Sequence, residues 1–128
     1  MARPNKKRDG KTSYAGVPRA VMDHPDYVAL SYKAKALLLE LSYQYRGSNN
    51  GDLQASWTCM RERGWRSRTT LHKALEELLA SGLVILTRQG RFVNPGGVCS
   101  LYALAWNPID DCKGKHDVAE TRTAPRRF

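Results

Sequence analysis

The chain is short of the features around which enzymes, secreted domains and membrane proteins are commonly built. No window approaches 18 consecutive apolar residues, which speaks against a transmembrane helix. There are three cysteines, Cys59, Cys99 and Cys112, an odd number with no CxxC pair and no regular spacing. That argues against a disulfide framework and for buried free thiols in a reducing cytosol. Cys112 and His116 stand at the spacing of half a zinc site, but no second pair accompanies them, so no metal is expected. The histidines, His24, His72 and His116, are scattered, and no Ser or Cys lies in a recognisable nucleophile setting. Neither GxxxxGK[ST] nor GxGxxG occurs, and the paired acids Asp110 and Asp111 lack companion carboxylates at metal spacing. Neither catalysis, nor a cofactor, nor a small-molecule effector is expected. The first residues are basic with no apolar run behind them, against a secretory signal and for a cytoplasmic protein.

Acidic residues are also scarce. Lys and Arg number 21 against 12 Asp and Glu, giving a net charge of +9 in 128 residues and a pI near 9.8. Such a field favours polyanionic partners (DNA, RNA or anionic lipid) over a merely soluble basic surface. The length suits one domain with tails, and a core drawn from ~90 residues suffices without staples. A hydrophobic content of 41% is slightly low and implies that part of the chain is not packed.

Residues 1–16 carry Arg3, Lys6, Lys7, Arg8 and Lys11 among small polar residues, a flexible basic arm by composition, whose Lys6, Lys7, Arg8 and Lys11 are candidates for DNA contact, with a solubilising tail as the alternative. In residues 17–30, Pro18 can start a helical turn and Pro25 disfavours helix at His24, while Val21, Met22, Tyr27 and Leu30 are candidates for the core. Ser31 is a good N-cap for a helix over 32–45 whose Ala34, Leu37, Leu38, Leu41 and Tyr45 form one buried stripe, with Lys33, Lys35, Glu40 and Gln44 outside. Residues 46–51 are turn chemistry, and 52–55 leave room only for a short strand. Ser56 caps a helix over 57–63 that Gly64 ends. After Trp65 and Arg66, Ser67 caps a longer helix that runs to Ser81, with Leu71, Ala74, Leu75, Leu78 and Leu79 inward. Residues 83–88 and 100–106 read as antiparallel strands, joined by the loop QGRFVNPGGVC. From Asn107 to Phe128 the composition is irregular, a tail either mobile or docked by a few apolar side chains such as Ile109.

The most informative stretch is SWTCMRERGWRSRTTLHKALEELLASGLVIL, residues 56–86: short helix, tight turn, longer helix, strand. A helix-turn-helix of this kind sets its second helix into a DNA major groove. Arg61, Arg63, Arg66, Arg68 and Lys73 fall within 13 residues, offset only by Glu62. Ser67, Thr69 and Thr70 supply short hydroxyls, and His72 shares the outer face. The helix N-terminus adds free N–H groups and partial positive charge, which attract phosphate. Glu76 and Glu77 would repel phosphate, so contact is expected to stop at the front half. Arg88, Gln89, Arg91 and Asn94 lie along the hairpin, where they are candidates for minor-groove or phosphate contact. Core packing is the better reading of Trp57, Trp65 and Trp106 than a stacking platform for single-stranded bases.

Residues 30–106 resemble the winged helix-turn-helix superfamily, with its parts in order. LSYKAKALLLELSYQY is similar to its first helix, GDLQAS to its short strand and cap, and RGWRSRTTLHKALEELLASGLVIL to its turn, recognition helix and first wing strand. The arm and the WNPIDDC tail are similar to small phage- or plasmid-associated bacterial proteins. The resemblance implies an α+β fold, a three-helix core with a C-terminal β-hairpin wing spanning 17–106. It implies a double-stranded DNA partner met by Arg66, Ser67, Arg68, Thr69, Thr70, His72 and Lys73, with Arg88 and Arg91 on the wing. The job it implies is a bacterial or phage transcription regulator. An initiator or accessory protein of phage or plasmid replication is the alternative, and a protein-interaction module the alternative of another class. A homodimer is in view because one such domain covers a small site, but no long coiled-coil helix is present to drive it. The tails or the first helix would have to do so.

Overall fold

The computed structural model describes residues 12–93 and 96–128. Two single-turn helices come first, α1 (Arg19–Met22) and α2 (Pro25–Val28). Pro25 stands at the first position of α2, where a missing N–H costs nothing, and the His24 ring accepts the Asp26 N–H at 3.0 Å. Val21 and Leu30 from this region are buried, whereas Met22 is exposed, contrary to the sequence expectation. Val21 and Met22 are adjacent, about 100° apart around the helix, so turning Val21 inward leaves Met22 outside.

Helix α3 (Tyr32–Gln44) starts at the Ser31 cap, whose Oγ accepts the Ala34 N–H, and buries Ala34, Leu37, Leu38 and Leu41. Helix α4 (Trp57–Arg61) begins at Ser56 and ends two residues earlier than its composition suggests. Arg63 and Trp65 both donate backbone N–H groups to Met60 O, which closes the turn around Gly64, at φ 99°. Helix α5 (Arg68–Ser81) buries Leu71, Ala74 and Leu78 against α3. Gly82 ends it at φ 77°, a left-handed conformation that side-chain-bearing residues adopt at a cost.

Strand β1 (Val84–Arg88) pairs antiparallel with β4 (Leu101–Leu104), and β2 (Arg91–Val93) with β3 (Gly96–Val98). The segment 89–99, expected as a loop, therefore contains a second strand pair. Arg88↔Leu101 and Arg91↔Val98 share one register, so the two pairs are successive parts of one hairpin. The junction closes at Gly90, whose N–H donates to Ser100 Oγ at 2.8 Å and where a Cβ would lie 2.7 Å from Ser100 N. A register shift between Leu86 and Arg88 marks a bulge at Thr87. The bulge turns Thr87 inward: its hydroxyl donates to Gly51 O and its carbonyl accepts the Asp117 N–H. Of the short strand expected at 52–55, the structure has a single bridge, Leu53↔Tyr102.

One core joins α3, α4, α5 and the β1–β4 pair, with Leu37, Leu38, Leu41, Met60, Leu78, Leu83 and Leu104 all but inaccessible. Trp57, Trp65 and Trp106 pack against its margin. The residues after Trp106 dock on the same body. Ile109 is buried, a 3-10 turn spans Cys112–Gly114, and Arg126 donates to Ser81 O and Asp26. The three thiols are free and half-buried rather than buried. No helix among the described residues is long and apolar enough to cross a membrane. The architecture of the described residues is mixed α+β, five helices with antiparallel strand pairs.

Candidate nucleic-acid interface

The turn between α4 and α5 sets the geometry of the cationic cluster. Ser67 Oγ accepts the Thr70 N–H at 3.2 Å, so the front of α5 is capped from within its own sequence. Around that front, Arg61, Arg66, Arg68, Thr69, His72 and Lys73 are exposed. The front therefore presents side chains to solvent on the face opposite the leucines.

An open groove of about 350 Å³ runs between the turn and α3, and Arg63, Trp65, Arg66, Ser67 and Thr70 meet Lys33 and Glu40 there. Three cations share this groove with one carboxylate. Sequence alone does not single out Lys33, because nothing in its local pattern separates it from the other lysine of α3. Its ammonium lies over the Trp65 ring at 5.9 Å from the centroid.

The cations divide by what they hold. Arg63 donates through Nε to Glu40 Oε1 at 2.8 Å and lies over the Tyr43 ring. The Glu40 carboxylate holds the Arg63 guanidinium still further above its ordinary value. Arg68 lies over Trp57, which leaves its charge uncompensated. Among the described residues, Arg61, Arg66, Arg68 and Lys73 have no carboxylate within ion-pair distance. With Lys33 across the groove, which also has no such partner, they are the unpaired cations around the front of α5.

Further along α5, His72 pairs with Glu76 at 3.2 Å. Glu77 has a partner that local sequence does not reveal. Its carboxylate accepts the Ser31 N–H at 2.6 Å and the Ser31 hydroxyl at 2.7 Å. It thereby clamps the start of α3 to α5.

Along the hairpin, Arg88 turns away from solvent, donating to Cys99 O and to Lys115 O. Its guanidinium joins the two strands and the C-terminal residues. Gln89 and Arg91 are exposed. Asn94 and the arm residues Lys6, Lys7, Arg8 and Lys11 lie outside the described residues.

Cys112 and His116 do not converge on an open site. The His116 ring is buried, with Nε2 2.6 Å from Asp110 O and Nδ1 accepting the Val118 N–H. Burial, with Asp52, Asp110 and Asp111 nearby, pushes the Cys112 thiol up from its ordinary value. Among the described residues no cluster of three or more His, Cys, Asp or Glu is placed to hold a metal ion. Comparison with protein-family models, with curated proteins and with solved structures gives no match.

Proposed function

We propose that this chain is a winged helix-turn-helix protein that binds double-stranded DNA in a sequence-specific manner, a cytoplasmic bacterial or phage transcription regulator. The observation that carries the reading is the set of uncompensated cations, Arg61, Arg66, Arg68 and Lys73, around the front of a 14-residue helix. The front of α5 enters the major groove. Arg66 and Arg68 carry planar forks suited to guanine edges or phosphates, and Thr69 offers a hydroxyl. The β2–β3 end of the hairpin serves as the wing, with Arg91 on the backbone or in the minor groove. Arg63 and Arg88 support the surface rather than touch DNA, because their guanidinium groups already serve internal partners.

The test is a fluorescence titration of genomic duplex fragments at several salt concentrations, followed by mapping of bound sites. Each phosphate contact contributes about −0.9 to the slope of log K against log salt. Arg66→Ala with Arg68→Ala is expected to flatten that slope by one to two such contacts and to weaken binding at least tenfold, about 1.4 kcal/mol. Unchanged affinity and slope would remove the recognition-helix assignment. Bound sites at promoters support a regulator; repeats at a replication origin overturn that role while leaving DNA binding intact.

A further inference from the structure

The groove between α3 and the α4–α5 turn carries an unbalanced charge. Lys33 lines it from α3, Arg63 and Arg66 from the turn, and Glu40 is its one carboxylate. Arg63 and Glu40 answer each other through their 2.8 Å bond. Lys33 and Arg66 are left over, one in each wall, and neither has a carboxylate within ion-pair distance among the described residues. The Trp65 ring centroid lies 5.9 Å from the Lys33 ammonium and holds it toward the turn. Ser67 and Thr70 line the same groove, and neither hydroxyl donates to an acceptor among the described residues. Every one of these four groups has a hydrogen to give.

We propose, resting on the DNA-binding reading above, that the groove seats a backbone phosphate of the duplex, gripped by Lys33 from α3 and by Arg66 from the turn, with the Ser67 and Thr70 hydroxyls donating beside them. A phosphodiester is anionic and offers acceptors alone, which complements two cations and two hydroxyls. A volume of about 350 Å³ gives it ample room. Ser67 is also the N-cap of α5, so the seat adjoins the front that carries Arg68, Thr69 and Lys73. One strand lies across the groove while the bases beside it meet α5.

Phosphate contacts fix orientation and carry no sequence information. The seat assigns Arg66 to the backbone and leaves Arg68 and Thr69 to the base edges. Because Lys33 belongs to α3, its contact ties a second helix to the strand and sets how α5 tilts in the major groove. Lys33 binds the backbone and reads no base.

The test compares Lys33→Ala with Lys35→Ala, which removes the same charge from the same helix but outside the groove, where Lys35 lies over Tyr27 and Tyr32. Fluorescence titrations of the full-length protein use the mapped duplex and a scrambled one across salt concentrations. Lys33→Ala is expected to flatten the slope of log K against log salt by about 0.9, which amounts to about eightfold weaker binding at ~0.1 M salt and convergence with wild type near ~1 M. The loss should be equal on both duplexes, and Lys33→Arg should restore most of it. Lys35→Ala is expected to keep the wild-type slope, and excess inorganic phosphate at matched ionic strength to leave binding unchanged. Wild type that binds no duplex removes the DNA-binding reading, and the seat falls with it. Wild type that binds, with Lys33→Ala no weaker than Lys35→Ala, overturns the seat alone. A loss confined to the mapped duplex makes Lys33 a base-reading residue and overturns the backbone assignment. Displacement of the duplex by inorganic phosphate does so too, since the groove is then a site for the free ion.

Discussion

Removing the Asn50 side chain is expected to be among the most damaging single changes available outside the apolar core. Asn50 is fully inaccessible. Its Oδ1 accepts the Leu104 N–H at 2.7 Å, and its Nδ2 lies 3.0 Å from Leu104 O, 3.1 Å from Asn107 O and 3.0 Å from Pro108 O. The two amide hydrogens thus serve three carbonyls, one of the bonds being shared. Asn50→Ala leaves the buried Leu104 N–H without an acceptor, which costs about 1–3 kcal/mol. The carbonyls lose less, because each keeps a second lone pair and Leu104 O retains the Asn107 N–H at 3.4 Å. With a small cavity added, the total comes to about 3–4 kcal/mol, against a whole-domain stability of about 5–15 kcal/mol. For a chain of this size that lowers Tm by roughly 10–15 °C. Urea denaturation at constant m-value measures it, with thermal melting as the second readout. A loss below about 1 kcal/mol would refute the argument, since it would mean that the Leu104 N–H finds another acceptor at no cost. Asn50→Asp sharpens the test. It keeps an acceptor for Leu104 but sets a carboxylate against three carbonyls and near Asp110. Its destabilisation should exceed that of Asn50→Ala at neutral pH and shrink as the pH falls toward ~4 and the introduced group takes a proton.

The C-terminal residues should loosen in acid. The hydrogen bond from Arg126, with its positive charge, holds the Asp26 carboxyl below its ordinary value, so the contact contributes above the unfolded carboxylate range near ~3.9 and is lost as the pH falls through and below it. Hydrogen exchange at the Arg126 amide, which donates to Ala105 O, should accelerate between about pH 5 and pH 3 beyond intrinsic chemistry. Asp26→Asn should show the fast exchange at both pH values, and equal protection in wild type at the two would sink the idea. Gly90→Ala drives a Cβ to 2.7 Å from Ser100 N and 3.0 Å from Val98 O, backbone atoms that cannot rotate away. About 1–3 kcal/mol of destabilisation is expected, with exchange quickening over residues 91–98 before the β1–β4 pair; protection there equal to wild type would contradict it.

The helices were legible because their signals are local. Serine caps at 31, 56 and 67 all accept the expected N–H groups, and Ala34, Leu37, Leu38 and Leu41 of α3 and Leu71, Ala74 and Leu78 of α5 are buried as their periods imply, while Leu75 and Leu79 are half-buried at the margin and Tyr45 lies just past the end of α3. The distal strand pair was not legible, because Gly90, Gly96 and Gly97 read as loop chemistry. Only the approach of Gly90 to Ser100 shows that a glycine there serves strand pairing. Asn50 was likewise one polar residue in a turn, and its partners lie 54 to 60 residues away in sequence.

The same separation of local from distant explains which part of the candidate site the sequence could resolve. A run of arginines announces charge, but whether a given arginine is available depends on partners that the local pattern does not contain. Arg63 is engaged by Glu40, 23 residues earlier, and Arg88 by Lys115 O, 27 residues later. Arg126, in a stretch whose composition reads as loop with a basic end, reaches back 100 residues to Asp26. Each of these guanidinium groups would give up charge-assisted bonds to meet a phosphate, and that loss is of the same order as the strength of the phosphate bond itself. Arg61, Arg66, Arg68 and Lys73 face no such exchange. The gradient along α5 follows as well: Glu77 sits where it does because Ser31 at the start of α3 needs an acceptor. Of the two acids in the rear half, Glu77 is thus set by helix–helix packing, whereas Glu76 is exposed and pairs with His72 within α5; both place negative charge behind the cationic front.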